Sequence, residues 1–211
     1  MTKLEELDTY VFIDVSNIRY ACLRSCGFNI DFIKFYEYLK RKYPMLRDVC
    51  YYEGIAADDE KKKKHFEFLE KKIGYRVCYL DRKSYVEPAK FMEFTCNECG
   101  ARNTVQVLPS NVKLKSNVDV YMTADMLELA ATSMMRKRAA HIILVSCDGD
   151  FAEAICALLR INPNFRVTVL ATPKTKKNNF LSVRLKTLCR ELGIEKYTLA
   201  SILNIRDKIS Q

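Results

Sequence analysis

The chain has 211 residues, 49% of them hydrophobic, with nine cysteines, a net charge of +9 and a pI near 9.0. That is enough for one domain with a full core and too little for two comfortable ones. The longest apolar runs fall far short of the roughly 20 residues needed to cross a bilayer, so no membrane span is expected.

The segment Met1 to Asp8 carries three acids and lacks a basic n-region, an apolar h-region and a small-residue cleavage site, which sets the expectation of a cytoplasmic protein. Tyr10-Val-Phe-Ile-Asp14 reads as a buried strand. A helix is expected from Asp31 to Tyr43, ended by Pro44, because Phe32, Phe35, Tyr36 and Leu39 recur at helical spacing. Asp48 to Tyr52 reads as a second strand, Asp58 to Ile73 as a helix stopped by Gly74, and Tyr75 to Leu80 as a third strand. The alternation breaks at Lys90 to Phe94 and Thr104 to Leu108, two short strands around Cys96-Asn-Glu-Cys99-Gly100. They read as an inserted hairpin occupying 88–110 of a single domain, 1–211.

After Pro109 and a polar stretch, a helix is expected from Val118 to Arg138, then a strand Ile142 to Val145, a helix Asp150 to Arg160, a strand Arg166 to Leu170 and a helix Asn179 to Leu192. Short apolar strands alternating with helices predict a mostly parallel sheet covered on both faces. In such sheets ligands bind beyond the carboxyl ends of the strands, where strand order reverses. Asp14 ends the first strand, Asp148 and Asp150 follow a later one, and Asp119 opens the long helix. Each alone could be a helix cap. Together in one crevice they would repel, raising their pKa values unless a cation sits among them, and oxygen ligands select Mg²⁺ or Mn²⁺ over zinc.

The residues carry a resemblance. Phe12-Ile-Asp14-Val-Ser-Asn17, Lys115-Ser-Asn-Val-Asp119 continuing to Asp125-Met-Leu127, and Leu144-Val-Ser146-Cys-Asp148-Gly-Asp150-Phe151 resemble the three motifs of the NYN domain family of PIN-like ribonucleases. The match covers nearly the whole chain in order. It implies a PIN-like three-layer α/β/α fold with an inserted CxxC β-hairpin, and a metal-dependent nuclease acting on RNA. Asp14, Asp119 and Asp148 fall at the principal acidic positions, with Asn17, Asp125 and Asp150 at supporting ones. Val15, Asn117 and Cys147 stand where the family commonly has glycine, so backbone approach near the metal differs. Asp119 and Asp125 lie about 120° apart on a regular helix, which assigns Asp125 to orienting its neighbours.

The expected catalytic set is therefore Asp14, Asp119, Asp148 and Asp150, with Asn17, Asp125 and Ser146 supporting it and Asp14, Asp119 and Asp148 holding Mg²⁺ or Mn²⁺. Such an ion lowers the pKa of bound water and neutralises phosphate oxygens, which makes phosphodiester hydrolysis the natural reaction. Neither His65 nor His141 lies within the acidic motifs, and both read as surface or helix-boundary residues. Ser16 and Ser146 suggest no Ser-His-Asp arrangement.

The net charge favours a polyanionic partner, and RNA is the first candidate. Lys113, Lys115, Lys174, Lys176 and Lys177 could grip its phosphates. Lys61 to Lys64 reads first as a solvated helix face over Phe66, Leu69 and Ile73. Cys50, Cys78, Cys156 and Cys189 read as buried free thiols. Cys96 and Cys99 make half of a four-ligand zinc site, to be completed by Cys78 or His65 or by the same hairpin of a second chain in a homodimer; a plain hairpin is the alternative. Two other functions remain open. One is a noncatalytic RNA-binding or adaptor module on the same fold. The other is a Toprim-like or phosphatase-like phosphoryl-transfer enzyme, against which count Asp14 in place of glutamate and the lack of a DxDxT sequence.

Overall fold

The computed structural model describes residues 4–173 and 180–211. Its centre is a six-stranded, all-parallel sheet in the order β10-β9-β8-β1-β2-β3, built from β1 (Asp8–Asp14), β2 (Leu46–Ile55), β3 (Arg76–Asp81), β8 (Ala140–Val145), β9 (Arg166–Ala171) and β10 (Tyr197–Ser201). Strands β1, β2 and β8 are the most deeply buried: Val11, Phe12 and Ile13, Val49 to Ile55, and all of Ala140 to Val145 are shielded from solvent. Being covered on both faces, they read as continuous apolar runs and not as alternating ones.

The chain winds outward from β1 through β2 to β3, then returns to β8 and winds the other way through β9 to β10. Right-handed crossovers then place the first helices on one face and the later ones on the other. Accordingly α1 (Val15–Ala21), α2 (Phe32–Lys42) and α3 (Glu60–Phe68) share a face, where Phe32, Tyr51, Phe66 and Tyr75 form an edge-to-face aromatic cluster. On the opposite face α4 (Val118–Met135) packs against α5 (Phe151–Ile161), and α5 against α6 (Val183–Leu192). A short C-terminal helix, α7 (Arg206–Ile209), docks on α2, where the Asp31 amide donates to the Ile209 carbonyl. The expected α/β class with a parallel sheet flanked by helices is borne out.

Between β3 and α4 lie two nested antiparallel pairs: β4 (Lys83–Glu87) with β7 (Asn111–Lys115), and inside them β5 (Lys90–Thr95) with β6 (Arg102–Leu108). Cys96 to Gly100 turns between the inner strands. The Gly100 amide closes on the Cys96 carbonyl at 2.9 Å, and Gly100 takes φ +71°, a conformation costly for any residue with a Cβ. All four strands are exposed almost throughout.

Several elements differ from the expectations. α1 follows Asp14 directly, too short for a periodicity to show. The helix expected over 58–73 is α-helical to Phe68 and then a π turn, Leu69–Ile73, ended by Gly74 at φ +105°. The long helix stops at Met135, where Lys137 turns to φ 52°. α6 starts at Val183, capped by Ser182, whose hydroxyl accepts from the Arg184 amide. β4, β7 and β10 had no distinct pattern. His141 is no surface residue: it lies fully buried in β8, its Nε2 2.8 Å from Thr168 Oγ1. Cys78, Cys156 and Cys189 are half-buried, while Cys50 is buried; all the cysteines are free thiols.

Candidate active site

Strand order reverses between β1 and β8, which are direct neighbours pairing Ile13 with Val145. The crevice beyond their carboxyl ends is the switch point of the sheet. Asp14 is the last residue of β1 and the N-cap of α1, accepting from the Asn17 amide at 3.3 Å. The next residues of β8's chain, Ser146 and Cys147, are also buried, and Asp148 follows half-buried.

Two side chains tie the strand ends together. Ser146 Oγ donates to Asp14 Oδ2 at 3.2 Å and accepts from the Asp148 amide at 3.1 Å. Asn17 Oδ1 accepts from the Cys147 amide at 2.9 Å. The loop onward is held equally closely. The Asp150 amide donates to Asp148 Oδ1 at 3.0 Å, and the Ser182 amide donates to the Cys147 carbonyl at 3.1 Å. Cys147 packs its sulfur 3.2 Å from Thr172 Oγ1. Glycine is required at position 149, where a Cβ would come within 2.3 Å of Ser182 Oγ.

Asp14 is only 8% exposed, and burial pushes its carboxyl up to about 6 despite the Asn17 and Ser146 hydrogen bonds; the charges of Asp148 and Asp119 push the same way. Three carboxylates from β1, the β8 end and the first turn of α4 therefore share one electrostatic neighbourhood. α4 is positioned there by Ser116, which fits against Gly54 at the end of β2 so closely that a Cβ on Gly54 would lie 2.0 Å from its Oγ.

Asp125 lies elsewhere. Six residues along α4, about 9 Å down its axis from Asp119, it accepts from the Tyr52 hydroxyl at 2.5 Å and pairs with Arg76 at 3.4 Å. Tyr52 is the register partner of Asp14 on β2, so Asp125 fixes the neighbour of the buried acid.

The lysines divide. Lys113 pairs with Glu87 at 2.6 Å across β4 and β7, and the Lys115 ammonium stands 5.0 Å from the Tyr85 ring centroid. Lys174, Lys176 and Lys177 lie outside the described residues. In the 61–64 run, Lys62 joins Arg19 and the Tyr51 hydroxyl around the buried Glu53 carboxylate, and Lys63 pairs with Glu60. Half of that run is engaged in structural ion pairs.

The donor set fits a hard cation. All the crevice acids offer oxygen, and the desolvated Asp14 gains most from a nearby positive charge. Among the described residues no group of three or more acidic, cysteine or histidine side chains is placed to hold a metal ion. Mg²⁺ does not need one, since it keeps several waters and binds through one or two carboxylates plus substrate phosphates. At Cys96, the Cys99 amide, then the Glu98 amide and the Cys99 thiol, hold the thiol below its usual range, as a thiolate ligand requires. The ligands suggested within the chain are not available to it. Cys78 lies in β3 against Tyr52 and Arg76, and His65 on α3 is stacked with Phe68.

A doubly wound parallel sheet with acids gathered at its switch point defines an α/β domain of the nuclease-like kind. The NYN domain family model matches residues 8–185, and the chain belongs to that family. No curated protein matches the chain. Among solved structures it is similar to the crystal structure of a protein of unknown function, VPA0982 from Vibrio parahaemolyticus RIMD 2210633. The identity is 21% with a TM-score of 0.59, covering 100% of each chain, a likeness of fold. No helix among the described residues is long and apolar enough to cross a membrane.

Proposed function

We propose that this protein is a metal-dependent ribonuclease that hydrolyses RNA phosphodiester bonds in the crevice between the ends of β1 and β8. The observation that supports it most is Asp14: a buried carboxylate whose desolvation, with the charges of Asp148 and Asp119, costs more than capping α1 requires. Mg²⁺ or Mn²⁺ bound there would activate water and neutralise the phosphate. One or two of Asp14, Asp119 and Asp148 would hold the ion, with water and phosphate oxygens completing its shell. Ser146 and Asn17 fix where Asp14 and the β8 loop point, and Asp150 sets Asp148 through its amide. Asp125 acts through Tyr52. With His65 on α3 stacked against Phe68 and His141 buried in the sheet, proton transfer falls to carboxylates and water.

The noncatalytic RNA-binding reading draws on the incomplete ligand cage. One experiment separates the two: incubation with mixed RNA and DNA oligonucleotides in Mn²⁺ or EDTA, with Asp14→Asn alongside. Metal-dependent RNA cleavage lost in Asp14→Asn supports the nuclease; RNA binding with no cleavage in any metal leaves the adaptor. We also infer that Cys96 and Cys99 contribute two thiolates to a structural zinc shared with a second chain.

A further inference from the structure

The carboxyl edge of the sheet does not stop at the crevice. Beyond β8 and β1 come the ends of β2 and β3, and past the end of β3 lies a pocket of about 590 Å³. Its walls are Asp81 of β3, Lys83 and Tyr85 of β4, Lys115 of β7, and Asn117 and Tyr121 at the start of α4. Tyr121 is 57% exposed and Tyr85 40% exposed, so neither ring serves the core. Lys83, Tyr85, Lys113 and Lys115 share one face of the β4/β7 pair, by register and by the two-residue alternation of strands. The opposite face carries Val86, Val112 and Leu114.

Neighbouring strands are about 4.8 Å apart, so β3 lies about 10 Å from β1, a short step for an extended single strand. α4 joins the two places. Asp119 and Tyr121 are about 200° apart around the helix, so one turns to the crevice and the other to the pocket. Between them is the N-terminus of an 18-residue helix whose N-cap, Asn117, makes no side-chain capping bond. The positive end of the helix dipole there favours a phosphate.

We propose that this pocket takes an unpaired nucleobase of the RNA strand whose phosphodiester lies in the crevice, resting on the RNA-cleaving reading of that crevice. The base stacks on Tyr121 and on the face of Tyr85 turned away from the Lys115 ammonium, Lys83 and Lys115 meet the flanking phosphates, and Asp81 is the acceptor available to an exocyclic amine. Aromatic faces stack any base, so the pocket selects single strands, and only Asp81 adds a preference, for bases that carry an exocyclic amine. A duplex keeps its bases stacked inside and cannot fill it.

The test is equilibrium binding of a fluorescent single-stranded RNA 12-mer in EDTA, read by anisotropy, so that it does not depend on cleavage. Tyr121→Ala and Tyr85→Ala should each weaken binding about ten-fold, Tyr121→Phe should bind like wild type, and affinity for a blunt RNA duplex should not change. An abasic nucleotide walked along the 12-mer should weaken wild type at one or two positions and leave Tyr121→Ala indifferent. Wild-type affinity in a folded Tyr85→Ala, Tyr121→Ala double variant overturns the proposal, whatever the protein does in Mn²⁺. The converse result, tyrosine-dependent binding with no cleavage in Mn²⁺, upholds the pocket and removes the nuclease reading alone.

Discussion

Ser146 Oγ lies 3.2 Å from Asp14 Oδ2 and donates its only proton there, while its lone pairs receive the Asp148 amide. One hydroxyl thus sets the distance between two acids from different strands. Ser146→Ala leaves the buried Asp14 carboxylate short of a donor and the part-buried Asp148 amide without its partner, at a cost of about 1–3 kcal/mol. It should also lower RNA cleavage roughly 10–100-fold, as losing a ligand-orienting partner does. Urea denaturation and initial cleavage rates measure both.

Asp14→Asn should stabilise the metal-free protein while abolishing cleavage. The Asp14 carboxyl titrates near 6 when folded against 3.8 as its ordinary value. Its contribution is therefore fully present below about pH 4 and lost as pH rises toward 6. At pH 7.5 the folded state carries the desolvated charge, and an amide does not. The gain should be about 3 kcal/mol at most, the shift being roughly two units at 1.36 kcal/mol each, and Mg²⁺ should raise the melting temperature of wild type more than that of the variant. A destabilised Asp14→Asn at pH 7.5 would contradict the electrostatic account of the crevice.

His141 predicts the opposite slope. Burial, with Arg166 adding to it, lowers its pKa to about 4, and Nδ1 has no hydrogen-bond partner. The unfolded chain binds its proton near 6.5, so the stability from neutral His141 is full above that value and lost as pH falls toward 4. In the Asp14→Asn background, where the opposing titration is gone, stability should fall by roughly 2 kcal/mol between pH 7 and 5. His141→Gln should flatten the fall, as chemical denaturation at the two pH values would show.

Zinc at Cys96 and Cys99 has a stoichiometric signature. Native mass spectrometry should find one ion per two chains, with ion and dimer lost together in Cys96→Ser. One zinc per monomer, or none in protein prepared without chelator, would remove the shared site without touching the crevice.

The lysines after β9 are tested by salt. Each phosphate contact on a single strand adds about 0.7 to the slope of log K against log salt, so replacing Lys174, Lys176 and Lys177 together should flatten it by about 2. An unchanged slope moves the RNA path toward Lys83 and Lys115.

Much of this was legible because buried parallel strands are short apolar runs and their last residues are polar. Asp14 and Asp148 announced themselves that way, and the sheet class followed from alternation. Asp125 was readable only as a helix angle, since its partner Tyr52 is 73 positions away in sequence. His141 was misread because a polar residue in a strand declares itself buried only through a long-range partner, here Thr168. Tyr85 and Tyr121 could not be told from core aromatics. Tyr121 sits in a helix whose apolar residues go nearly all round, and β4 has too few residues for a pattern. Exposure, which singles both tyrosines out, is a property of the packed molecule.

The contact of Gly54 with Ser116 has a counterpart one residue on, where the Arg82 amide donates to the Ile55 carbonyl at 2.7 Å. The end of β2 therefore clasps the excursion from residue 82 to residue 116 at both of its feet. Between those feet the ribbon borders α4 at the pocket walls Asn117 and Tyr121, but the clasp sets where α4 begins, so the ribbon can be shortened to a turn, or lengthened, with Asp119 still delivered to the crevice. On the proposed reading, catalysis and substrate grip are in that sense separately adjustable, and a chain shorn of β4 to β7 should keep its acids in place while losing its hold on the bases beside them.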